Sequence, residues 1–353
     1  MLFSLLCRDN LTVKVMGRSN IQKYCSLLLL FLAIAIKVSA NQHVQRVLLP
    51  PIHRIEFLQA RQLSDSEGNI ESVLIPLKRV GRLFLIEASV DGQTGNFVFD
   101  TGADKMVLNK TYFRNNLMTT TESGGGLTGN SQIIYITQVK EIVASELIFG
   151  NQTADVTDLG QIENRRKSKI LGLFGMSLFT NMHLEIDLRN STLRLSRLNK
   201  SGVPENKQIT SFSGDFIGKI HLVKRVMFLE GAIGGKTLDF CLDTGAESNV
   251  MSSSAPKRVM ESITISSRSD LTGVGGANAE VLFGTMNNFV LGTLKLGPMQ
   301  TIVASLTSIS QAYDYPVSGI LGFDFFDQGV ISINLVTREF SFFLHREKNE
   351  SNN

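Results

Sequence analysis

Part of this chain is written twice, and that repeat limits what the chain can fold into. Displaced by 143 positions, residues 83–104 lie on 226–247 without a gap. Glu87, Gly92, Thr94, Phe97, Asp100, Thr101, Gly102 and Ala103 meet Glu230, Gly235, Thr237, Phe240, Asp243, Thr244, Gly245 and Ala246, and Asp104 meets Glu247. Displaced by 147, residues 173–195 lie on 320–342, where Gly175, Phe179, Ile186 and Leu188 meet Gly322, Phe326, Ile333 and Leu335. The change of offset reads as a loop insertion. A repeat of this size predicts two related lobes, at 73–198 and 209–346, joined by the polar linker 199–208 and followed by a polar tail, 347–353.

Within each lobe the texture is that of short strands. Leu83–Val90, the pair Asp91-Gly92 and Thr94–Phe99 form a hairpin signal, because Asp-Gly accepts the positive φ of a tight turn. Ile133–Val139, Leu184–Leu188, Thr192–Leu195, Ile331–Leu335 and Glu339–Phe343 read as further strands. Helical periodicity is scarce, with one short helix expected near Lys105–Leu117. The expected class is all-β, with each lobe a small barrel.

The first forty residues are different. Arg18 and Lys23 precede the apolar run 25–36, and Lys37-Val38-Ser39-Ala40 follows. This is the pattern of a signal peptide cleaved after Ala40, with Met16 as a candidate start. The run is short of the roughly 20 apolar residues that span a bilayer, although an uncleaved anchor at 25–36 is the alternative. A secreted or periplasmic protein is expected. Residues 41–72 are polar and irregular, as in a mobile or pro-like N-terminal segment. Asn109, Asn151, Asn190, Asn199 and Asn349 head Asn-x-Ser/Thr triplets, which carry meaning only in a eukaryotic secretory route.

The formal charge of +3 comes from that leader, which holds five basic residues and one acidic one. The remainder is close to neutral, so charge gives no reason to expect nucleic-acid or anionic-membrane binding. Of three cysteines, Cys7 and Cys25 lie in the leader, leaving Cys241 in an apolar run as a core residue. The five histidines are scattered, and no metal or other cofactor is expected. Two phosphate-site lookalikes fail. Gly124–Gly129 lacks a preceding buried strand and a following helix, and Gly231–Thr237 is one residue short of a P-loop and aligns with the hairpin turn at Asp91-Gly92.

The repeat's chemistry lies in Val98-Phe99-Asp100-Thr101-Gly102-Ala103 and Cys241-Leu242-Asp243-Thr244-Gly245-Ala246. In each, an apolar strand runs into an acid, a hydroxyl able to bond locally or across to the other loop, and a glycine that permits a tight turn. Two such turns about a pseudo-twofold axis would bring Asp100 and Asp243 together. Carboxylates a few ångströms apart cannot both ionise, so they hold one proton between them and supply an acid and a base in one site.

These motifs resemble the aspartic proteases of the retropepsin/pepsin clan. Phe99 to Leu108 is similar to the active-site strand of retroviral proteases. The clan's apolar-apolar-Gly motif late in each lobe is matched by Leu173-Phe174-Gly175 and Ile320-Leu321-Gly322, with Ile170-Leu171-Gly172 as a competing register. The resemblance covers roughly 73–346. It implies two tandem retropepsin-like barrels forming a pepsin-like pseudo-dimer, with a central cleft for an extended peptide or protein substrate. It also implies a catalytic pair, Asp100 and Asp243, with Thr101, Gly102, Thr244 and Gly245 shaping the turns. Asp104 and Glu247 would neighbour the substrate, beneath Gly-rich flaps at Gly125-Gly126 and Gly275-Gly276. An aspartic endopeptidase working as a monomer is expected. A peptide-binding pseudoprotease and an assembly through a second chain are the alternatives. Two departures stand out. Lobe 1 has Ser177 where lobe 2 has Asp324, and Ala103 and Ala246 stand where pepsin-type enzymes usually carry a hydroxyl. Without that donor the pair should work at weakly acidic to neutral pH.

Overall fold

The computed structural model describes residues 72–115, 117–125, 131–204, 214–272 and 278–346. The expected signal segment, the N-terminal extension up to 71, residues 205–208 of the linker and the tail 347–353 lie outside the described residues.

Lobe 1 contains β1 (Ser72–Pro76), β2 (Lys78–Val80), β3 (Leu83–Val90), β4 (Gln93–Phe99), β5 (Met106–Asn109), β6 (Met118–Gly125), β7 (Ser131–Ala144), β8 (Leu147–Thr157), β9 (Gly172–Phe174), β10 (Met182–Asp187) and β11 (Thr192–Arg197). The turn between β3 and β4 has Asp91 at φ 46° and Gly92 at φ 81°, the positive values that Asp-Gly tolerates. Strands β3-β4-β9-β5-β8-β7 form a six-stranded barrel, closed where Ser89 and Val90 pair with Val143 and Ile142. Among the described residues, the helix expected near 105–117 is not there. Met106, Val107 and Leu108 are all fully buried, as a strand between two neighbours requires, and they pair with β9 on one side and β8 on the other. The segment ends in a turn in which Asn109 Oδ1 accepts the Thr111 N–H at 3.1 Å. Asn109, one of the triplet asparagines, is fully buried and donates through Nδ2 to Glu163 Oε2 and Ile170 O.

Lobe 2 repeats the plan with β12 (Phe216–Val223), β13 (Val226–Ile233), β14 (Lys236–Leu242), β15 (Asn249–Ser252), β16 (Ile263–Thr272), β17 (Asn278–Met286), β18 (Val290–Leu291), β19 (Leu294–Lys295), β20 (Met299–Ala304), β21 (Gly319–Leu321), β22 (Gly329–Asn334) and β23 (Glu339–Leu344). The order β13-β14-β21-β15-β20-β17 is that of lobe 1, but the seam differs: β13 is met at Ala232 by Val290 of the short hairpin β18–β19. Where lobe 1 uses the long uninterrupted strands β7 and β8, lobe 2 breaks them in two. Cys241 is buried in β14.

The lobes are joined by a six-stranded antiparallel run, β1-β11-β10-β22-β23-β12. At its centre Glu185 faces Ser332, and these two occupy matching positions of the repeat, so the pseudo-twofold axis passes between them. Alternate residues of this sheet (Ile75, Leu184, Ile186, Leu193, Ile331, Ile333, Phe340 and Phe342) are buried in one cluster with core residues of both barrels. The lobes therefore share a core, and their relative position is set by burial as well as by strand pairing.

Candidate active site

Each barrel ends a central strand at an acid: β4 runs into Asp100 and β14 into Asp243. The late-lobe motif fixes both. β9 pairs in parallel with β4, and the Asp100 N–H donates to Phe174 O at 3.1 Å. β21 pairs likewise with β14, and the Asp243 N–H donates to Leu321 O at 3.0 Å. Leu173-Phe174-Gly175 is thus the register the structure adopts. The glycine ending each motif lies under the acid's loop: a Cβ on Gly175 would stand 2.3 Å from Lys105 O, and one on Gly322 would stand 2.5 Å from Ala246 O.

The two turns interlock through four hydrogen bonds. Thr101 Oγ1 donates to Leu242 O at 2.9 Å and accepts the Thr244 N–H at 3.0 Å. Thr244 Oγ1 donates to Phe99 O at 2.8 Å and accepts the Thr101 N–H at 3.1 Å. Each buried hydroxyl spends one donor and one acceptor on the other lobe. Gly102 and Gly245 make the approach possible. A Cβ on Gly102 would lie 2.4 Å from Asp243 Cγ, and one on Gly245 2.8 Å from Asp100 Cγ.

Asp100 is 1% exposed and Asp243 0%. Asp100 Oδ1 accepts the Gly102 N–H at 3.0 Å, whereas Asp243 Oδ1 accepts two, from Gly245 at 2.8 Å and Ala246 at 3.1 Å. Oδ2 of each acid is buried and meets no donor, and one proton held between the carboxyls would supply it. Burial pushes both acids up. Asp100 is carried well above the ordinary carboxylate range by desolvation and then by the charge of Asp243. Asp243 rises to about 6, with desolvation opposed by its hydrogen bonds to Asp100, Gly245 and Ala246. The pair therefore titrates as a unit, and the two N–H donors on Asp243 Oδ1, against one on Asp100 Oδ1, favour the charge on Asp243.

Asp104 and Glu247 flank the pair, and both carboxylates are held by arginines of the opposite lobe. Arg225 Nη1 donates to Asp104 Oδ1 at 2.8 Å, and Arg166 pairs with Glu247. Arg82 donates to Asp324 Oδ2 at 2.7 Å and to Glu247 O at 3.0 Å. Lobe 1 has Ser177 at the position of Asp324, and there the Ser177 N–H donates to Asp104 O at 2.8 Å. Of the expected flap residues, Gly125 ends β6 and pairs with Ser131; Gly126, Gly275 and Gly276 lie outside the described residues. Sequence reasoning did not find four of the described residues that tie the lobes together beside the acids: Arg82, Arg225, Arg166 and Tyr313, whose hydroxyl donates to Gly102 O. A signal was present for two of them, since Arg82 and Arg225 occupy matching positions of the repeat.

Comparison with known families agrees with this architecture. The family model described as Aspartyl protease matches the chain twice, over residues 86–178 and 229–325, together more than half its length. The chain belongs to the aspartyl protease family, as two tandem retropepsin-like lobes. No curated protein matches it in sequence.

Proposed function

We propose that the chain is an aspartic endopeptidase that hydrolyses peptide bonds through a water activated by Asp100 and Asp243. The observation that carries this reading is the pair itself: two buried carboxyls, one from each lobe, whose Oδ2 atoms have no donor. Asp243, the charged member, accepts a proton from water as the water oxygen bonds to the scissile carbonyl carbon, and Asp100 gives its proton to the carbonyl oxygen. In the resulting tetrahedral diol, Asp243 passes its proton to the amide nitrogen. The C–N bond breaks, a diol hydroxyl returns a proton to Asp100, and the pair is back in its starting state. Fixed turns hold both acids in place before substrate arrives, which limits reorganisation during the reaction.

Peptide or protein substrates follow from this chemistry, a monomer follows from having both acids in one chain, and export follows from the leader. A pseudoprotease would have no need to keep both acids and the Thr101–Thr244 lock. The test is incubation of the purified chain and its Asp243→Asn variant with a mixed peptide library from about pH 3 to 8, the range in which a coupled pair titrates, with products read by mass spectrometry. Internal cleavage by the parent alone is expected. Equal cleavage by both, or peptide binding without cleavage by either, would overturn the proposal.

A further inference from the structure

The helices Gly160–Arg166 and Thr307–Tyr313 occupy matching positions in the two lobes, each just before its late-lobe motif. Each ends in a side chain that crosses to the other lobe. Arg166 reaches the carboxylate of Glu247, four residues beyond Asp243. Tyr313 reaches further in, and its hydroxyl donates to Gly102 O at 3.0 Å. The peptide unit bearing that carbonyl carries the N–H of Ala103. Gly102 itself donates to Asp100 Oδ1 and lies against Asp243.

Tyr313 is not free to swing. It is 1% exposed, belongs to the core cluster containing Val226, Cys241 and Ile320, and packs edge-on against Phe228 with ring centroids 5.9 Å apart. A hydroxyl anchored in the core of one lobe thus holds the acid-bearing turn of the other, and the equivalent residue of lobe 1 does not return the contact. A donor on Gly102 O polarises the peptide and strengthens its N–H as a donor.

We infer that Tyr313 is a positioning residue for Asp100: its hydroxyl fixes the Asp100 turn and makes the two acids of the pair unequal. The inference rests on the proposed proteolytic function. The Gly102–Ala103 peptide closes the Asp100 turn, its Ala103 N–H donating to Asp100 O at 3.4 Å, and the Gly102 N–H donates to Asp100 Oδ1 at 3.0 Å, so losing the hydroxyl should loosen that turn and raise the pair's upper titration step. Asp243 is the charged group facing Asp100. The charges further out are paired with each other, Asp104 with Arg225, Glu247 with Arg166 and Asp324 with Arg82.

The experiment compares the full chain with Tyr313→Phe, which keeps the ring and removes only the oxygen. Arg166→Lys serves as a control, keeping its charge while disturbing the other cross-lobe contact. Tyr313→Phe should lower kcat by roughly three- to tenfold, as for a slightly misplaced acid, with KM within about twofold. The basic limb of its kcat–pH profile should move up by about half a unit. Arg166→Lys should leave that limb in place. The carboxyl 13C titration of the pair should show the same upward step without any turnover, so an inactive parent would sink the proposed function and leave this inference to be decided by the titration. An unmoved upper step in Tyr313→Phe, or an equal movement in Arg166→Lys, would overturn it.

Discussion

In lobe 1 the hairpin arginine before the central strand is Arg82; in lobe 2 the same position holds Arg225. Arg82 contacts Asp324, the Glu247 carbonyl and the ring of Phe323, over which its guanidinium lies 4.9 Å from the centroid. Arg225 sits at φ 77°, about half-exposed, and has Asp104 as its acidic partner. The helix-end residues differ in type as well, Arg166 against Tyr313. Between these unequal outer contacts, the cross-lobe bonds of Thr101 and Thr244 match one for one. Symmetry is kept in the threonine bonds that cross between the lobes and is lost in the contacts around them, at the acids' own oxygens as well as further out. A dimer of identical chains must repeat every contact, but a single chain encodes its halves separately and can give its two acids different surroundings.

Substitution at the glycines beside the acids should have the largest effect on this comparison. Gly102→Ala and Gly245→Ala should each cut kcat/KM by more than about 100-fold, because a displacement near 1 Å already costs that much. Gly102→Ala should be the worse of the two, since its Cβ would meet Asp243 at 2.4 Å while that of Gly245 would meet Asp100 at 2.8 Å. Steady-state kinetics beside thermal unfolding would show whether the order holds.

The threonines test the symmetric part. Thr101→Ala and Thr244→Ala each remove one donor and one acceptor from buried backbone groups, so each should cost about 2–4 kcal/mol. The two losses should agree closely, and the double variant should lose less than their sum, because each side chain serves the other's turn. Urea unfolding of the three variants checks this; a large inequality would mean that the lock belongs to one lobe.

The arginines should give a smaller and unequal effect. Arg82→Ala should cost about 1–2 kcal/mol at neutral pH by leaving a largely buried carboxylate unpaired, and Arg225→Ala at most about 1 kcal/mol, since its side chain is 52% exposed. Burial raises Asp324 above its ordinary value, with Arg82 pulling the other way. A carboxyl whose folded pKa is raised costs stability as pH rises through its titration range. Removing Arg82 raises it further, so the loss should be greater at pH 7 than at about pH 4. Equal losses at both pH values would show that Asp324 does not depend on Arg82.

Most of the fold was legible because the repeat could be aligned with itself. The hairpin over Leu83–Phe99 was readable from its Asp91-Gly92 turn, and the strands β10, β11, β22 and β23 from short apolar runs bounded by turn residues. The segment Met106–Asn109 was not, because a short strand buried on both faces lacks the two-residue period that would set it apart from a buried helical turn. The joining sheet was not foreseen either: β1 and β12 were not read as strands, and a strand's own residues say nothing about which strands it will pair with. At the site, Asp100 and Asp243 stood out because acid, hydroxyl and glycine recur together. Arg166 and Tyr313 did not, because they share a position in the fold without sharing a residue type.

The central claim is that one acid from each lobe shares a single proton, and titration of the two carboxyls tests it directly. Carboxyl 13C shifts of aspartate-labelled protein would be followed from about pH 2 to 9 in the parent, Asp100→Asn and Asp243→Asn. The parent should show two linked steps, the upper one well above the ordinary aspartate value of about 3.9. In Asp243→Asn the step of Asp100 should fall, because its charged neighbour is gone, yet stay raised by burial. Two independent steps near 3.9, each indifferent to substitution of the other acid, would contradict the account.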